Sequence, residues 1–461
     1  MKNISIWKDT IKKKEYPSLL ENSECDVLII GGGITGGSTF YQLKKTNLKV
    51  ILVEQGEIAM STTGSSTGKL SFMQNDLIDK IRSNLGDETA SLYLKSQCDA
   101  INLAVDIIKK ENIACDLTKV DSKIYTNKKS EVEKLKDLER FLKDNGFDVQ
   151  KTQNELVKSK YAIACSNTYM FHPVKFVYGL LENSQNIYEH TSIKKIVSKG
   201  DYYLCYTDKV KIKAKWVVIA SHYPYFNLPF FFPIKGSLEK SYISASKVDI
   251  KDLSMISYSN PFISIRTYLD YLIYLSNSHS INADTNDKKN FQELLKKVHD
   301  LKLEPEYLWS NIDIMTNDGL PYIGKLKKNL LIATGYNTWG LATSVLAGLI
   351  LKDIITNQKN NYIELFSPSR INVNQITGGI SDIFKNIGGF ISGMKKQNKV
   401  KSNNNTLSYK GHTVSKKCPH MGCSLLLNEV EETWDCPCHG SRFTLDGKCI
   451  SAPSNCNINK K

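Results

Sequence analysis

The apolar run Asp26-Val27-Leu28-Ile29-Ile30 ends directly on Gly31-Gly32-Gly33-Ile34-Thr35-Gly36-Gly37, and a helical segment to about Lys45 follows. A second apolar run, Val50-Ile51-Leu52-Val53, closes on Glu54. Two strand-length apolar runs flanking a glycine turn and a helix read as a βαβ unit, and strands apolar on both faces need the doubly wound parallel sheet of an α/β domain. Gly31, Gly33 and Gly36 spell G-x-G-x-x-G. The first glycine permits the tight turn, the second lets the backbone approach a pyrophosphate, and the third allows close helix–strand packing. The helix beginning after the turn offers unpaired N–H groups to phosphate. Glu54, 18 residues beyond Gly36, is placed to accept a hydrogen bond from an adenosine ribose hydroxyl. The spacing predicts a dinucleotide site.

The 461 residues allow about three domains at roughly 150 residues each. With 41% apolar and 23% charged residues the composition is that of a folded chain. Trp216-Val217-Val218-Ile219-Ala220 and Leu330-Leu331-Ile332-Ala333-Thr334-Gly335 read as further buried strands, the latter feeding a helix from Leu341 to Ile355. Residues 75–148 read as a helical insertion, and residues 230–280 as an antiparallel sheet. Residues 367–410 turn to Asn, Ser, Gly and Lys, a linker composition. Within it residues 380–394 suit a short amphipathic helix that docks on the first domain; glycine breaks and short length argue against membrane-surface binding. The expected domains are 1–365, a basic linker 366–404, and 405–461.

No apolar run reaches the roughly 20 residues of a membrane span, and Met1–Asn22 has no apolar core of a secretory signal. A cytoplasmic location is expected. The formal charge of +14 raises nucleic acid as a partner. Part of that excess is a single segment, 383–428, that holds no acidic residue, and no nucleic-acid-binding motif accompanies it. No nucleic-acid partner is expected.

The run Ser61-Thr62-Thr63-Gly64-Ser65-Ser66-Thr67-Gly68-Lys69-Leu70 resembles the Ser/Thr/Gly segment of the glycine oxidase and D-amino-acid oxidase superfamily, which there passes along the pyrophosphate and isoalloxazine of FAD. Three further stretches resemble that family in order: Tyr188-Glu189-His190-Thr191-Ser192-Ile193, the strand from Ala214 to Ser221, and Gly335-Tyr336-Asn337-Thr338-Trp339-Gly340-Leu341. The resemblance covers about residues 25–357. It implies a Rossmann-like α/β FAD-binding domain interleaved with an antiparallel β substrate domain. Implied FAD contacts are Gly31, Gly33, Ile34, Thr35 and Gly36 in the turn, Glu54 and Gln55 at the second strand's end, and Thr62, Thr63, Gly68, Lys69 and Leu70 in the polar run. Ile193, Ala220, Gly340 and Leu341 complete them. Phe171-His172-Pro173-Val174-Lys175 resembles the segment that opens the substrate half. Arg266 is a candidate to hold a substrate carboxylate, with a surface salt bridge as the alternative. His172, His222 and His279 read as structural histidines.

Six of the 11 cysteines, Cys418, Cys423, Cys436, Cys438, Cys449 and Cys456, fall near the C-terminus, which argues for metal or redox chemistry. Cys418-Pro-His420 and Cys436-Pro-Cys-His439 supply two thiolates and two imidazoles. That inventory serves tetrahedral zinc or a [2Fe-2S] centre with two cysteines on one iron and two histidines on the other. The order C-x-H then C-x-x-H, followed by Gly440-Ser441, resembles the Rieske signature, whereas zinc fingers usually place both cysteines first. The resemblance is to Rieske proteins of bc-type complexes. It implies that Cys418 and Cys436 bind one iron and His420 and His439 the other, and that Cys423 and Cys438 form the disulfide tying the two loops. It also implies that Ser441 bonds a bridging sulfide and that Ala452-Pro453 covers the cluster. Phe443 departs from the family, which carries Tyr there in high-potential members; the missing hydroxyl implies a lower potential. The small all-β domain is short, so its closing strands are expected to be either curtailed or borrowed from 395–415.

The whole chain resembles bacterial fusions of a glycine-oxidase-like FAD oxidoreductase with a C-terminal Rieske domain. A flavin takes two electrons and releases them singly, and a Rieske centre carries one. The expected activity is oxidation of a small organic substrate, an amine or amino acid, with electrons exported to an external acceptor. Reverse electron flow is a second possibility, and a metal-stabilised docking or sensing module a third.

Overall fold

The computed structural model describes residues 1–153, 156–224, 236–281, 286–370, 402–403 and 405–459; the 380–394 segment lies outside them. The βαβ unit forms as its sequence dictates. Ser23–Ile30 and Val50–Val53 pair in parallel, with the helix Ile34–Leu43 between them. Lys211–Ile219 joins on the other side of Ser23–Ile30, Leu330–Thr334 follows, and Ile187–Tyr188 extends the far edge beyond Val50–Val53, all parallel. Val27, Leu28 and Ile29 are fully buried, as strands covered on both faces must be. The helix Gly340–Ile355 packs against Ile34–Leu43, and the backbone at Ser38 lies within 3 Å of where a side chain on Gly348 would begin.

A second sheet runs in the order Pro305–Thr316, Gly236–Lys247, Tyr271–Ser280, Ser264–Tyr268, Ser254–Ser257, Thr118–Thr126, Tyr161–Met170, Lys69–Leu70. It is antiparallel except where Ser254–Ser257 meets Thr118–Thr126. Residues 75–148 are therefore not wholly helical: between the helices Asp87–Lys110 and Val132–Asp144 lies the strand Thr118–Thr126. Lys119, Asp121 and Lys123 alternate there with Val120, Ser122 and Ile124, which the sheet buries together with Tyr125. Long-range pairing overrides local periodicity there.

The C-terminal region is all β. Leu426–Asn428, Thr433–Asp435, Arg442–Thr444 and Cys449–Ser451 form one antiparallel sheet, and Ser402–Asn403, Thr406–Tyr409 and His412–Ser415 another. Strands from the stretch before Cys418 thus complete the short domain, and Ser415 N–H donates to the Asn459 carbonyl. Trp434 and Phe443, paired across strands, are fully buried at its centre. No described helix is long and apolar enough to cross a membrane.

Candidate functional site

The glycine turn does mechanical work that only glycine allows. A Cβ on Gly36 would lie 1.8 Å from the Gly31 carbonyl oxygen, and Gly31, at φ +113°, would press one against Ala220 at 2.8 Å. Gly33 differs: a Cβ there meets only the Thr63 hydroxyl, at 3.1 Å, and otherwise faces a cavity of about 330 Å³. Gly31, Gly33, Ile34, Thr35, Glu54, Gln55, Thr62, Thr63, Lys69, Ile193, Ala220, Gly340 and Leu341 all line that cavity. Gly36, Gly68 and Leu70 do not; they pack the wall behind it.

Two details differ from a simple phosphate cradle. The Ile34 N–H at the helix start donates to Thr63 Oγ1 (3.0 Å) and is not free. Glu54 accepts from the main-chain N–H groups of Gly32 (2.7 Å) and Gly56 (2.8 Å), so it braces the turn as well as facing the cavity. Burial pushes its carboxyl above the usual range against those donors. The polar run is pinned from outside by two indoles: Trp7 Nε1 donates to Ser66 O (2.7 Å) and Trp309 Nε1 to Ser65 O (2.9 Å). The role of Trp7, in an N-terminal segment with no motif, carries no sequence signal.

Arg266 corrects both expectations for it. The residue is 1% exposed, so it is no surface ion pair, and it does not line the cavity. Its Nη1 donates to the carbonyls of Thr67 (3.0 Å), Gly68 and Phe171 (3.3 Å), and its Nε to Thr267 (3.0 Å). The guanidinium holds the end of the polar run, where Gly68 sits at φ +75°. His172 is structural as expected, fully buried and accepting from Lys175 N–H at the start of the helix Pro173–Leu180. His222 lines the cavity, and its buried Nε2 makes no hydrogen bond. Burial lowers its pKa to about 4, so the ring is neutral.

A second wall of the cavity comes from the paired strands Gly236–Lys247 and Pro305–Thr316. Their alternation sends Ser241, Ile243, Asn311 and Asp313 to the cavity. Lys240, Ser310 and Ile312 face the other way, onto the C-terminal domain. Asp313 stands opposite Glu239 in register and accepts from Asn311 Nδ2 (3.1 Å). Burial and the Glu239 charge push its carboxyl up to about 7. Sequence reading missed Asp313, since an acid in an alternating strand looks like an outward-facing residue.

The C-terminal domain brings its candidate ligands together in two pairs. The rings of His420 and His439 are 4.9 Å apart at 87°, and the buried thiols of Cys418 and Cys436 bond each other. His420 Nδ1 is buried without a hydrogen bond, and His439 Nδ1 is equally shielded from solvent. Such costly burial of an imidazole acceptor fits a metal ligand. The neighbouring Cys436 thiol and the main-chain N–H groups of His420 and Met421 draw the Cys418 thiol below its usual range, and the same contact pushes Cys436 above it. Cys423 and Cys438 form a disulfide between the two loops. Ser441 Oγ accepts from Ser454 N–H (2.9 Å), which leaves its own proton to donate toward the centre.

The two sites adjoin. Lys448, Cys449, Ile450 and Ala452 of the C-terminal domain line the same cavity, and Asn455 Nδ2 donates to the Ile193 carbonyl (3.2 Å). Tyr223, next to His222 in the chain, places its ring 6.1 Å from that of His439.

Comparison with known proteins agrees with this geometry. Residues 26–354 match the DAO family model, FAD dependent oxidoreductase, and residues 399–460 the Rieske [2Fe-2S] domain. The chain is 28% identical over 98% of its length to 96% of a Bacillus subtilis (strain 168) protein named "Putative Rieske 2Fe-2S iron-sulfur protein YhfW". It is 21% identical, over 76% of its length, to 88% of the gamma-glutamylputrescine oxidoreductase of Escherichia coli (strain K12). Glycine oxidase from Geobacillus kaustophilus shares the fold, with a TM-score of 0.63 and 20% identity over 76% of this chain and 99% of that one. The cavity fits FAD and the cysteine–histidine centre fits a [2Fe-2S] cluster, the groups these two families bind. The chain belongs to the DAO family of FAD dependent oxidoreductases and carries a C-terminal Rieske [2Fe-2S] domain.

Proposed function

We propose that this oxidoreductase is a dehydrogenase that oxidises a small amine or amino acid in the cavity and exports the electrons singly through the Rieske domain to an external acceptor protein. Gly31, Gly33, Glu54 and the 61–70 run hold the FAD, and Cys418, His420, Cys436 and His439 hold the cluster. FAD accepts an electron pair from the substrate and releases electrons one at a time, as a [2Fe-2S] centre requires. The observation that carries the reading is the segment His222-Tyr223, which joins the sites: His222 lines the cavity and Tyr223 packs beside His439. A domain serving only docking would have no need of that contact. Relatives named for gamma-glutamylputrescine and glycine support the substrate class.

Anaerobic addition of amines and amino acids to the purified protein tests this. Flavin absorbance should bleach first, and the paramagnetic signal of the reduced cluster should then appear without added mediator. If no such compound bleaches the flavin, while a chemically reduced cluster does, the flow runs the other way.

A further inference from the structure

Across the second wall of the cavity the polar groups are unequal in kind. Ser241 and Ser278 bond each other through their hydroxyls (2.8 Å), and Asn311 spends an amide N–H on Asp313. Lys69 also lines the cavity, but its buried ammonium donates to the Met255 carbonyl and Ser264 Oγ, both at 2.8 Å. Burial and the nearby Arg266 hold its pKa well below that of a free lysine. Arg266 itself is committed to main-chain carbonyls. The wall thus presents one carboxylate, Asp313, backed by a second at Glu239, against a lysine whose charge is suppressed. Around it the cavity is lined by the apolar Ile243, Ile256, Leu275 and Trp339 and by the neutral ring of His222.

Lys80 and His279 offset the charge of Glu239, but among the described residues Asp313 has only the Asn311 amide as a compensating partner, and a buried carboxylate beside another is costly unless a cation compensates it. We infer that Asp313 is the anchor for the protonated amine of the substrate, so that the cavity selects cations and Asp313 then takes the proton that the amine must lose. This rests on the reading of the protein as an amine or amino-acid dehydrogenase. In that step the ammonium N–H bond breaks and its proton passes to the Asp313 carboxylate. The neutral amine's lone pair then forms the C=N bond as hydride leaves the adjacent carbon for FAD, so the substrate is oxidised by two electrons to an iminium and the flavin is reduced by two. The carboxyl's displacement toward about 7 suits an acceptor that must both hold and return a proton near neutrality.

The experiment uses the full-length protein with FAD and cluster loaded, at about pH 8.5, where Asp313 is ionised. Three non-oxidisable probes are titrated while flavin absorbance is followed: tetramethylammonium, the neutral tert-butanol, and acetate. Tetramethylammonium should perturb the flavin spectrum saturably and the other two should not, and Asp313→Asn should weaken its binding at least tenfold. Asp313→Glu should restore part of that loss; it replaces the Asn variant if the latter fails to retain FAD. Preference for acetate, no binding of the cation, or a cation affinity unmoved by both variants overturns the inference. Amine bleaching of the flavin is scored separately: bleaching that ignores Asp313 leaves the dehydrogenase reading standing, whereas cation binding at Asp313 with no bleaching by any amine sinks that reading instead.

Discussion

Lys240 of the oxidoreductase sheet lies 2.8 Å from Asp435, the residue that precedes the candidate cluster ligand Cys436. The same ammonium reaches Asp287 at 2.6 Å, and its side chain is 6% exposed. Around it Arg442 bonds Asp435 (3.1 Å) and Glu431 (2.8 Å), and Glu431 accepts from Ser310 N–H (3.0 Å). A buried charge network therefore seats the Rieske domain on the outer face of the wall whose inner face lines the FAD cavity.

Replacing Lys240 by Met should destabilise the docked arrangement by about 3 to 5 kcal/mol, because two buried carboxylates lose a shared cation. Urea titration followed through cluster absorbance measures this, and an unchanged midpoint would show that the network is dispensable. The pH limits follow from the same groups. Burial raises the Asp435 carboxyl, but Arg442 and Lys240 outweigh it and hold it below the usual range. Its contribution is complete above the unfolded value of about 4 and is lost as pH falls toward the depressed one. Burial lowers Lys240, but Asp287 and Asp435 raise it further, so its contribution is complete below about 10 and is lost as pH rises beyond the elevated value.

Gly33 and Gly36 should separate cofactor loss from misfolding. A Cβ at Gly36 has no room before the Gly31 carbonyl, whereas one at Gly33 meets a single hydroxyl. Gly36→Ala should give little soluble protein. Gly33→Val should fold with its cluster intact yet lack FAD, since the added groups occupy the phosphate side of the turn. Flavin released on denaturation, quantified per cluster iron, reads this, and normal flavin content in the Gly33 variant would refute the assignment.

His439→Ala should abolish the Rieske paramagnetic signal and leave FAD bound, because the ring stands against His420 in the cysteine–histidine centre and does not line the cavity. Iron, acid-labile sulfide and zinc analyses accompany it. Stoichiometric zinc without sulfide in the unsubstituted protein would mean that the four residues bind a different metal.

Phe443 is fully buried within the cluster domain, so Phe443→Tyr adds a hydroxyl near the centre without changing the ring. A donor to a cluster thiolate stabilises the more negative reduced state, and the part of its roughly 1.5 to 3 kcal/mol gained on reduction raises the one-electron potential by tens of millivolts. Protein-film voltammetry at fixed pH should show that rise; an unchanged potential with an intact cluster would place the hydroxyl away from the sulfur.

The glycine turn and the candidate cluster ligands were legible in the sequence as motifs because each is a local constraint. Gly31, Gly33 and Gly36 act within one turn, and Cys418, His420, Cys436 and His439 come from two short loops whose spacing sets their chemistry. The strand Thr118–Thr126 was not legible, since its pairing partners lie at 161–170 and 254–257 and local periodicity cannot report them. Arg266 and Asp313 show the same limit at the level of the site. Both stand in strands whose sequence permits either face to be buried. Sheet register and long-range packing turned Arg266 into a brace for Gly68 and set Asp313 against the cavity. Which motifs the chain carries followed from neighbours in sequence. That the Rieske domain lines the FAD cavity, with Tyr223 beside His439 and Lys240 beside Asp435, was decided only by tertiary packing, because those contacts join residues some 200 positions apart and the second of them buries charge.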